Sequence, residues 1–150
     1  MRKRGFTLAE ILISLGIIGV VAATVLPTFI SSHKTQVYDA TRKTVESSLE
    51  NAFTAMMVAE MAEDLSFTKV WADNADLYDN FSNYFKSTPA TSDISGGVGL
   101  RTKAGVIVSI KKSDDGAEVR IDTNGSEGPN KKNVDFFEYD LDLNAILTRK

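Results

Sequence analysis

The chain begins with a long apolar run in which one ionisable side chain interrupts the hydrophobic positions. Residues 6–30 contain Glu10 and no other charge. These 25 residues would form a helix about 37 Å long at roughly 1.5 Å per residue, enough to span a bilayer of about 30 Å. The pattern therefore predicts a transmembrane helix over residues 6–30.

Beyond residue 30 the pattern changes to an apolar stripe with helical period. Charged side chains such as Arg42 and Glu46 occupy the other faces, and no proline or glycine interrupts residues 31–63. The helix should continue through residues 31–63 and bury its stripe against another layer. With one threonine among them, the stripe residues recur every four positions, at Val37, Thr41, Val45, Leu49, Phe53 and Met57.

The remaining pattern predicts a short helix, a loop and an antiparallel sheet. Aromatic residues over 73–86 indicate a helix with Asp73 or Asn74 as its N-cap, and Pro89 to Gly97 has the composition of a loop. Alternating positions predict strands at 98–102, 106–110 and 117–122, and a further short strand at 145–148. The expected fold is α+β, with one long helix packed on a small sheet of three or four antiparallel strands.

Charge and composition limit the chemistry of the chain. Of its 17 cationic and 20 acidic side chains, 14 and 19 lie in residues 31–150, which gives that part a net charge of −5. An acidic domain repels a phosphate backbone, so general nucleic-acid binding is not expected. The chain has no cysteine and one histidine, His33. Because no nucleophile is paired with a base in any known pattern, we do not expect an enzyme.

The N-terminal boundary of the apolar run is unusual. A secretory signal peptide carries its small-residue cleavage site after its apolar segment, whereas here Gly5 precedes the segment and follows the basic residues 2–4. Cleavage after Gly5 would remove residues 1–5 and leave Phe6 as a new amino terminus on a retained helix. The positive-inside rule keeps the basic end in the cytoplasm and places residues 31–150 across the membrane.

Several residues of the apolar run indicate assembly rather than simple anchoring. Glu10 is an ionisable group within an apolar helix, where such groups are usually functional. The new α-amine of Phe6 on a neighbouring copy could pair with Glu10, and this pair would form only in a staggered assembly. Pro27 lacks an amide donor and should kink or loosen the helix, and Gly19 with Ala23 would let helices approach closely. An unpartnered interfacial glutamate in a plain signal anchor is the alternative.

The sequence Gly5-Phe6-Thr7-Leu8-Ala9-Glu10, after a basic leader and before an apolar helix, resembles the class III signal of type IV pilins and type II secretion pseudopilins. The resemblance implies cleavage after Gly5 by a prepilin peptidase, N-methylation of Phe6, and roles in assembly for Phe6, Glu10 and Pro27. It also implies a cleaved leader over residues 1–5, a membrane and filament-core helix over 6–30, and an exported pilin-like head over 31–150. Within the head we expect the helix at 31–63, a connecting region at 64–96, and the sheet with a C-terminal loop at 97–150.

The resemblance also implies a location and partners. Monomers would lie in the bacterial inner membrane as single-pass proteins with a cytoplasmic N-terminus, and would then enter a pilus or pseudopilus filament. The implied partners are copies of the chain, other pilins or pseudopilins, the prepilin peptidase and methyltransferase, and the inner-membrane assembly platform. Major and minor subunits, and pili and secretion systems, share these features, so those alternatives stay open. A membrane-tethered extracytoplasmic ligand-binding module is the competing function.

An oxygen-rich segment after the third predicted strand is the other candidate site. Asp122, Asn124 and Asp135 could ligate calcium, which prefers oxygen ligands. The segment does not follow the EF-hand spacing, and a structural loop held by Asx-turns explains its composition without a metal. We expect no other cofactor.

Overall fold

The computed structural model describes residues 5–72, 76–125 and 127–150. The chain divides into two compact units, Met1–Gln36 and Val37–Lys150. The predicted N-cap residues Asp73 and Asn74 and the basic residues of the leader lie outside the described residues.

The first unit is helical from residue 8 onward, where helix α1 (Leu8–Glu60) begins. Its large apolar side chains face outward: Leu12 is 61% exposed and Ile18 is 64% exposed. Within the described residues, α1 is one helix that is long and apolar enough to cross a membrane. An apolar helix with no buried face in a single copy requires lipid or other helices around it.

The second unit contains the remainder of α1, which packs on one face. The predicted stripe is confirmed at Val45, Leu49 and Phe53, all of which are buried. It differs at its ends, because Met56 is fully buried where Met57 is only partly buried, and Val37 is 58% exposed. The helix ends at Glu60, three residues before the predicted end.

A six-stranded antiparallel sheet forms the other layer of the second unit, with strand order β1-β2-β3-β4-β5-β6. The α+β class is confirmed, and the predicted count of three or four strands is wrong. Each strand pairs with its neighbours in the chain, as in a meander. The strands are β1 (Ser87–Ala90), β2 (Val98–Thr102), β3 (Ile107–Ser113), β4 (Gly116–Asp122), β5 (Phe136–Asp142) and β6 (Leu147–Arg149).

The two additional strands, β1 and β5, lie where no strand was predicted. Strand β1 includes Pro89, the first residue of the predicted loop, and the strand tolerates this proline because it lies at the sheet edge. Strand β5 begins at Phe136, directly after the candidate calcium segment. Its alternate residues Phe137, Tyr139 and Leu141 are buried, which is the period-two pattern of a strand with one buried face.

Short helical elements connect α1 to the sheet. They are a 3₁₀ turn at Leu65–Phe67, α2 (Lys69–Ala72), α3 (Asp76–Asp79) and a 3₁₀ turn at Phe81–Asn83. The described part of the predicted helix over 73–86 is thus α3 followed by a 3₁₀ turn. Phe81 stacks on Phe53 of α1 with ring centroids 4.5 Å apart, and Phe85 stacks on Phe81. These aromatic side chains are part of the core.

Arg42 is the charged residue that the sequence pattern placed wrongly, since its side chain is buried rather than solvated. It is 7% exposed and bridges α1 to strand β5. Its Nη1 atom donates to the Tyr139 hydroxyl at 3.0 Å and to Glu46 at 2.7 Å. Its Nε and Nη2 atoms donate to Asp39 at 3.0 and 2.8 Å, and the guanidinium lies 5.3 Å from the Phe137 ring centroid. The surrounding hydrogen bonds make this buried charge tolerable.

Candidate functional site

The start of α1 is organised by a reciprocal pair of residues, Thr7 and Glu10. The Thr7 amide and hydroxyl both donate to Glu10 Oε2 at 2.8 Å. The Glu10 amide donates in return to the Thr7 hydroxyl oxygen at 3.3 Å. This arrangement is a capping box, which satisfies amide groups that the first helical turn would otherwise leave without partners.

Thr7 is therefore a site residue that the sequence analysis missed. The signal was present, because threonine followed three residues later by glutamate, immediately before an apolar run, is the sequence pattern of a capping box. In a single copy the Glu10 carboxylate is bonded within its own helix start. Any pairing of Glu10 with a neighbour's amine would have to share or replace these bonds.

The two residues at the predicted cleavage point lie before the helix. Gly5 and Phe6 are exposed and have no regular secondary structure, and the Phe6 side chain is 86% exposed. An accessible segment without regular secondary structure is one that a peptidase can bind. The roles of Gly5 in cleavage and of Phe6 in methylation stay predictions.

The small residues of the apolar run adjoin open space. A Cβ atom added at Gly16 or Gly19 would meet no heavy atom within 4 Å outside the helix's own nearby backbone. The packing of a single copy therefore gives no reason for glycine at either position. Small residues allow close helix approach in an apolar medium, so a neighbouring helix is a reason consistent with their presence.

Pro27 lies inside α1, which is continuous through it. Since proline has no amide hydrogen, the carbonyl four residues earlier loses its helical donor. The Thr24 hydroxyl donates to the carbonyls of Val20 and Val21 at 3.2 and 3.0 Å, one turn before the proline. The predicted role of Pro27 in assembly stays a prediction.

The oxygen-rich segment lies between the end of β4 and the start of β5. Asp135 is fully buried, and its two carboxylate oxygens accept the amides of Asn130 and Lys131 at 2.6 Å each. The carbonyl of Asp135 accepts the amide and hydroxyl of Thr123 at 2.8 Å. Asp135 thus closes its own loop.

The polar side-chain atoms of Asp122 and Asn124, unlike those of Asp135, are buried without a full set of hydrogen bonds. Burial raises the pKa of Asp122 to about 6, and the charges of Asp93 and Asp135 add to this increase. One Asp122 oxygen accepts the Asn124 amide at 3.1 Å. The Asn124 side-chain oxygen is buried and has no hydrogen-bond partner among the described residues. These are an incompletely compensated carboxylate and an unused amide oxygen.

A cleft of about 380 Å³ adjoins Asp122 and is lined by Asp93, Arg120, Asp122, Gly125, Asn130 and Phe136. The Arg120 guanidinium lies 4.8 Å from the Phe136 ring centroid and pairs with Glu138 at 2.7 Å. In the part of the chain that the structure describes, no three His, Cys, Asp or Glu side chains form a metal-binding group. Calcium would therefore depend on Asp122, the Asn124 amide oxygen and backbone carbonyls, with Asp135 engaged elsewhere.

Comparison with known proteins adds one finding about the N-terminal segment. Residues 1–26 match the family model of the prokaryotic N-terminal methylation motif, which is the class III signal of type IV pilins and pseudopilins. No curated protein and no solved structure gives a significant match to the chain. The matched range contains Gly5, Phe6, Thr7 and Glu10.

Proposed function

We propose that this chain is a structural subunit of a type IV pilus or a type II secretion pseudopilus, assembled into a helical filament through its N-terminal helix. The methylation motif over residues 1–26 carries the proposal. It indicates a pilin-type protein that a prepilin peptidase processes. Major and minor subunit roles both fit the motif.

In the proposed mechanism, cleavage after Gly5 creates the α-amine of Phe6, which is then methylated. Methylation leaves the amine cationic, so it can still pair with a carboxylate. In the assembled filament this amine lies next to Glu10 of a neighbouring copy. Each charge would be unfavourable in an apolar environment alone, and together they offset one another. Because the pair requires an axial offset between copies, it fixes the register of the helices.

The exposed apolar surface of the first unit supports this mechanism. Side chains such as Leu12 and Ile18 need an apolar environment, which the inner membrane provides before assembly and neighbouring helices provide afterwards. The proposed partners are copies of this chain, related pilins or pseudopilins, the prepilin peptidase and methyltransferase, and the inner-membrane assembly platform. The proposed path of the chain runs from the inner membrane to the filament.

The alternative, a tethered ligand-binding module, loses much of its basis. Either the aromatic residues over 73–86 or the oxygen-rich loop would hold the ligand of such a module, and of those aromatic residues Phe81 and Phe85 are buried in the core. The oxygen-rich loop remains, and we propose calcium there as a structural cation held by Asp122 and the Asn124 amide oxygen. Such a cation would neutralise a carboxylate whose charged form is disfavoured by burial.

The first test is the mature N-terminus. The full chain is expressed with an active prepilin peptidase or with a catalytically inactive one, and its N-terminal peptide is identified by mass spectrometry. We expect methylated Phe6 as the first residue with the active enzyme. Retention of residues 1–5 in both strains would refute the proposed function.

The second test separates the charge of Glu10 from its capping role. Glutamine also fits the N3 position of a capping box, which Glu10 occupies. Glu10→Gln should therefore preserve membrane insertion and processing while abolishing filament incorporation. Glu10→Asp serves as the matched control that retains the charge. Normal filament yield from Glu10→Gln would show that no charge pair forms at this position.

A further inference from the structure

The outer face of the sheet points away from α1. Among the described residues, its cationic side chains are paired with carboxylates near β4 and β5 but not near β1 and β2. At strands β4 and β5, Glu138 of β5 pairs with Arg120 of β4 at 2.7 Å and with Lys132 of the connecting loop at 2.6 Å. Lys150, which follows β6, binds Asp140 at 2.8 Å. At the β1–β2 corner, Lys86, Arg101 and Lys103 are exposed, and none forms an ion pair with a described residue.

These three cations line one depression of about 370 Å³, together with the hydroxyl residues Ser82, Ser87, Thr88 and Thr102. Thr88 pairs with Arg101 in the β1–β2 ladder, so the two side chains lie on one face. Ser87 and Thr102 form the terminal pair of that ladder. Lys86 precedes Ser87 and Lys103 follows Thr102, so both lysines lie just beyond the end of the ladder. Like charges at adjacent cross-strand positions destabilise a sheet, and no carboxylate is among the described residues that line the depression. We call this group the basic corner.

The opposite end of the sheet carries an acidic turn. Asp114 and Asp115 connect β3 to β4, are exposed, and form no ion pair with a described residue. Gly116 ends the turn with φ +145°, and a Cβ atom there would lie 2.0 Å from the Leu141 carbonyl oxygen. At position 116 the turn therefore has a backbone conformation that only glycine can adopt. The ammonium of the nearby Lys112 donates to the carbonyls of Val70 and Trp71.

The basic corner and the acidic turn cannot meet within one head. They lie at opposite ends of β3, and this seven-residue strand is roughly 20 Å long at about 3.3 Å per residue. Contact between them therefore requires two molecules. A contact between different surfaces of identical copies is heterologous, and such contacts produce rings or open helical filaments.

We propose that the basic corner of one copy binds the Asp114–Asp115 turn of a neighbouring copy, as a contact between the heads of adjacent subunits in the filament. This inference rests on the proposed function, which brings copies together. Residues 31–150 are acidic overall, so a second copy is a better electrostatic match for the corner than a nucleic acid, which the rest of the head repels. A contact of exposed ion pairs is weak alone. The filament makes it intramolecular in effect, so a weak contact suffices to favour one arrangement of heads.

Reciprocal charge reversal tests the contact in the full chain. We expect Arg101→Glu/Lys103→Glu, and separately Asp114→Lys/Asp115→Lys, to lower the yield of sheared filaments at least about fivefold. Combining the four substitutions should restore the yield to within about twofold of wild type. Lys69→Glu, at an exposed lysine on α2, is the matched control and should leave the yield unchanged. A combined variant no better than either double variant, or an equal loss in the control, overturns the proposal.

Cysteine cross-linking gives an independent readout, since the chain has no cysteine of its own. Thr88→Cys and Ser113→Cys flank the corner and the turn without removing a charge. A chain carrying both should form a ladder of covalent oligomers with a short bis-maleimide, while either cysteine alone should not. The proposed contact would be overturned if no ladder formed or if a single cysteine gave dimers. It would also be overturned if immobilised DNA retained the wild-type chain through Arg101 and Lys103. Mature Phe6 is measured in every variant, so a chain that is never processed refutes the proposed function, whereas processed filaments insensitive to charge reversal refute only this contact.

Discussion

The bridge between α1 and β5 gives a prediction whose magnitude follows from its contacts. Tyr139→Phe removes the hydroxyl that accepts from Arg42 at 3.0 Å and donates to Glu46 at 3.3 Å. Burial raises the pKa of Tyr139, against the opposing effect of Arg42, so the hydroxyl is protonated at neutral pH. Arg42 keeps its bonds to Asp39 and Glu46. Because Arg42 and Glu46 stay bonded to each other, losing the two hydrogen bonds of the hydroxyl should destabilise the second unit by about 1.5 kcal/mol.

Removing the other partner should have a somewhat larger effect. Arg42→Met retains most of the apolar length of the side chain but removes every guanidinium bond and its contact with Phe137. The Tyr139 hydroxyl still has Glu46, so no buried group is left wholly unpaired. We expect about 2 kcal/mol of destabilisation. The double variant should be less destabilised than the sum of the two, by about 1 kcal/mol, because both single changes remove the same contact.

Trp71 provides the assay. It is the only tryptophan of the chain, and its ring lies 6.5 Å from Phe53 in an edge-on arrangement within the second unit. Urea unfolding of the full chain in detergent, followed by Trp71 fluorescence, gives the free energy of unfolding for wild type and the three variants. Lys43→Met, at an exposed neighbour of Arg42, is the control and should change stability by less than about 0.5 kcal/mol. Additive effects of Arg42→Met and Tyr139→Phe would refute the reasoning.

Three further predictions concern the candidate site. Thr7→Val removes the capping hydroxyl and should lower filament yield severalfold without preventing insertion, whereas Thr7→Ser should restore it; sheared filaments measure both. Gly19→Leu should insert and be processed normally, since its Cβ meets nothing in one copy, but should block filament formation, unlike Val20→Leu at a 69% exposed position; electron microscopy of filaments decides. The pKa of Asp122 is raised from 3.8 to about 6, so its stabilising contribution is full below pH 3.8 and lost as the pH rises through 6. Asp122→Asn should therefore match wild type near pH 4 and exceed it by about 3 kcal/mol at pH 7. Calcium at pH 7 should raise the melting temperature of wild type only, and thermal scans check both outcomes.

The sequence predicted those parts of the fold whose pattern is local. The helix over residues 6–30 and the strands at 98–102 and 117–122 follow from uninterrupted apolar or alternating positions. Strand β1 was missed because Pro89 argues against a strand, and only the strand's position at the sheet edge, a tertiary fact, makes proline acceptable. Strand β5 was missed for a different reason. The alternation of Phe137, Tyr139 and Leu141 was visible, but no strand was assigned between those predicted at 117–122 and 145–148.

The candidate site divides in the same way. The capping box of Thr7 and Glu10 is local and could have been read from the sequence. The buried position of Arg42 could not, because it depends on Tyr139 and Phe137, nearly a hundred residues away in the chain. The different roles of Asp135 and Asp122 could not be predicted either. Asp135 closes its loop through hydrogen bonds, whereas the hydrogen bonds of Asp122 do not fully compensate its burial. Residues whose roles come from long-range pairing are inaccessible to pattern analysis.

The two units of the chain differ in what a single copy can satisfy. The second unit is nearly complete by itself, since it has a buried core and its buried Arg42 is hydrogen bonded on several sides. The first unit caps the first turn of its helix through the Thr7–Glu10 box, but leaves its apolar side chains exposed. A helix in this state is stable in lipid and gains nothing there from Gly16 or Gly19. Those glycines become useful only when another helix replaces the lipid, and so the features of this segment that a monomer does not need are those that a filament would use.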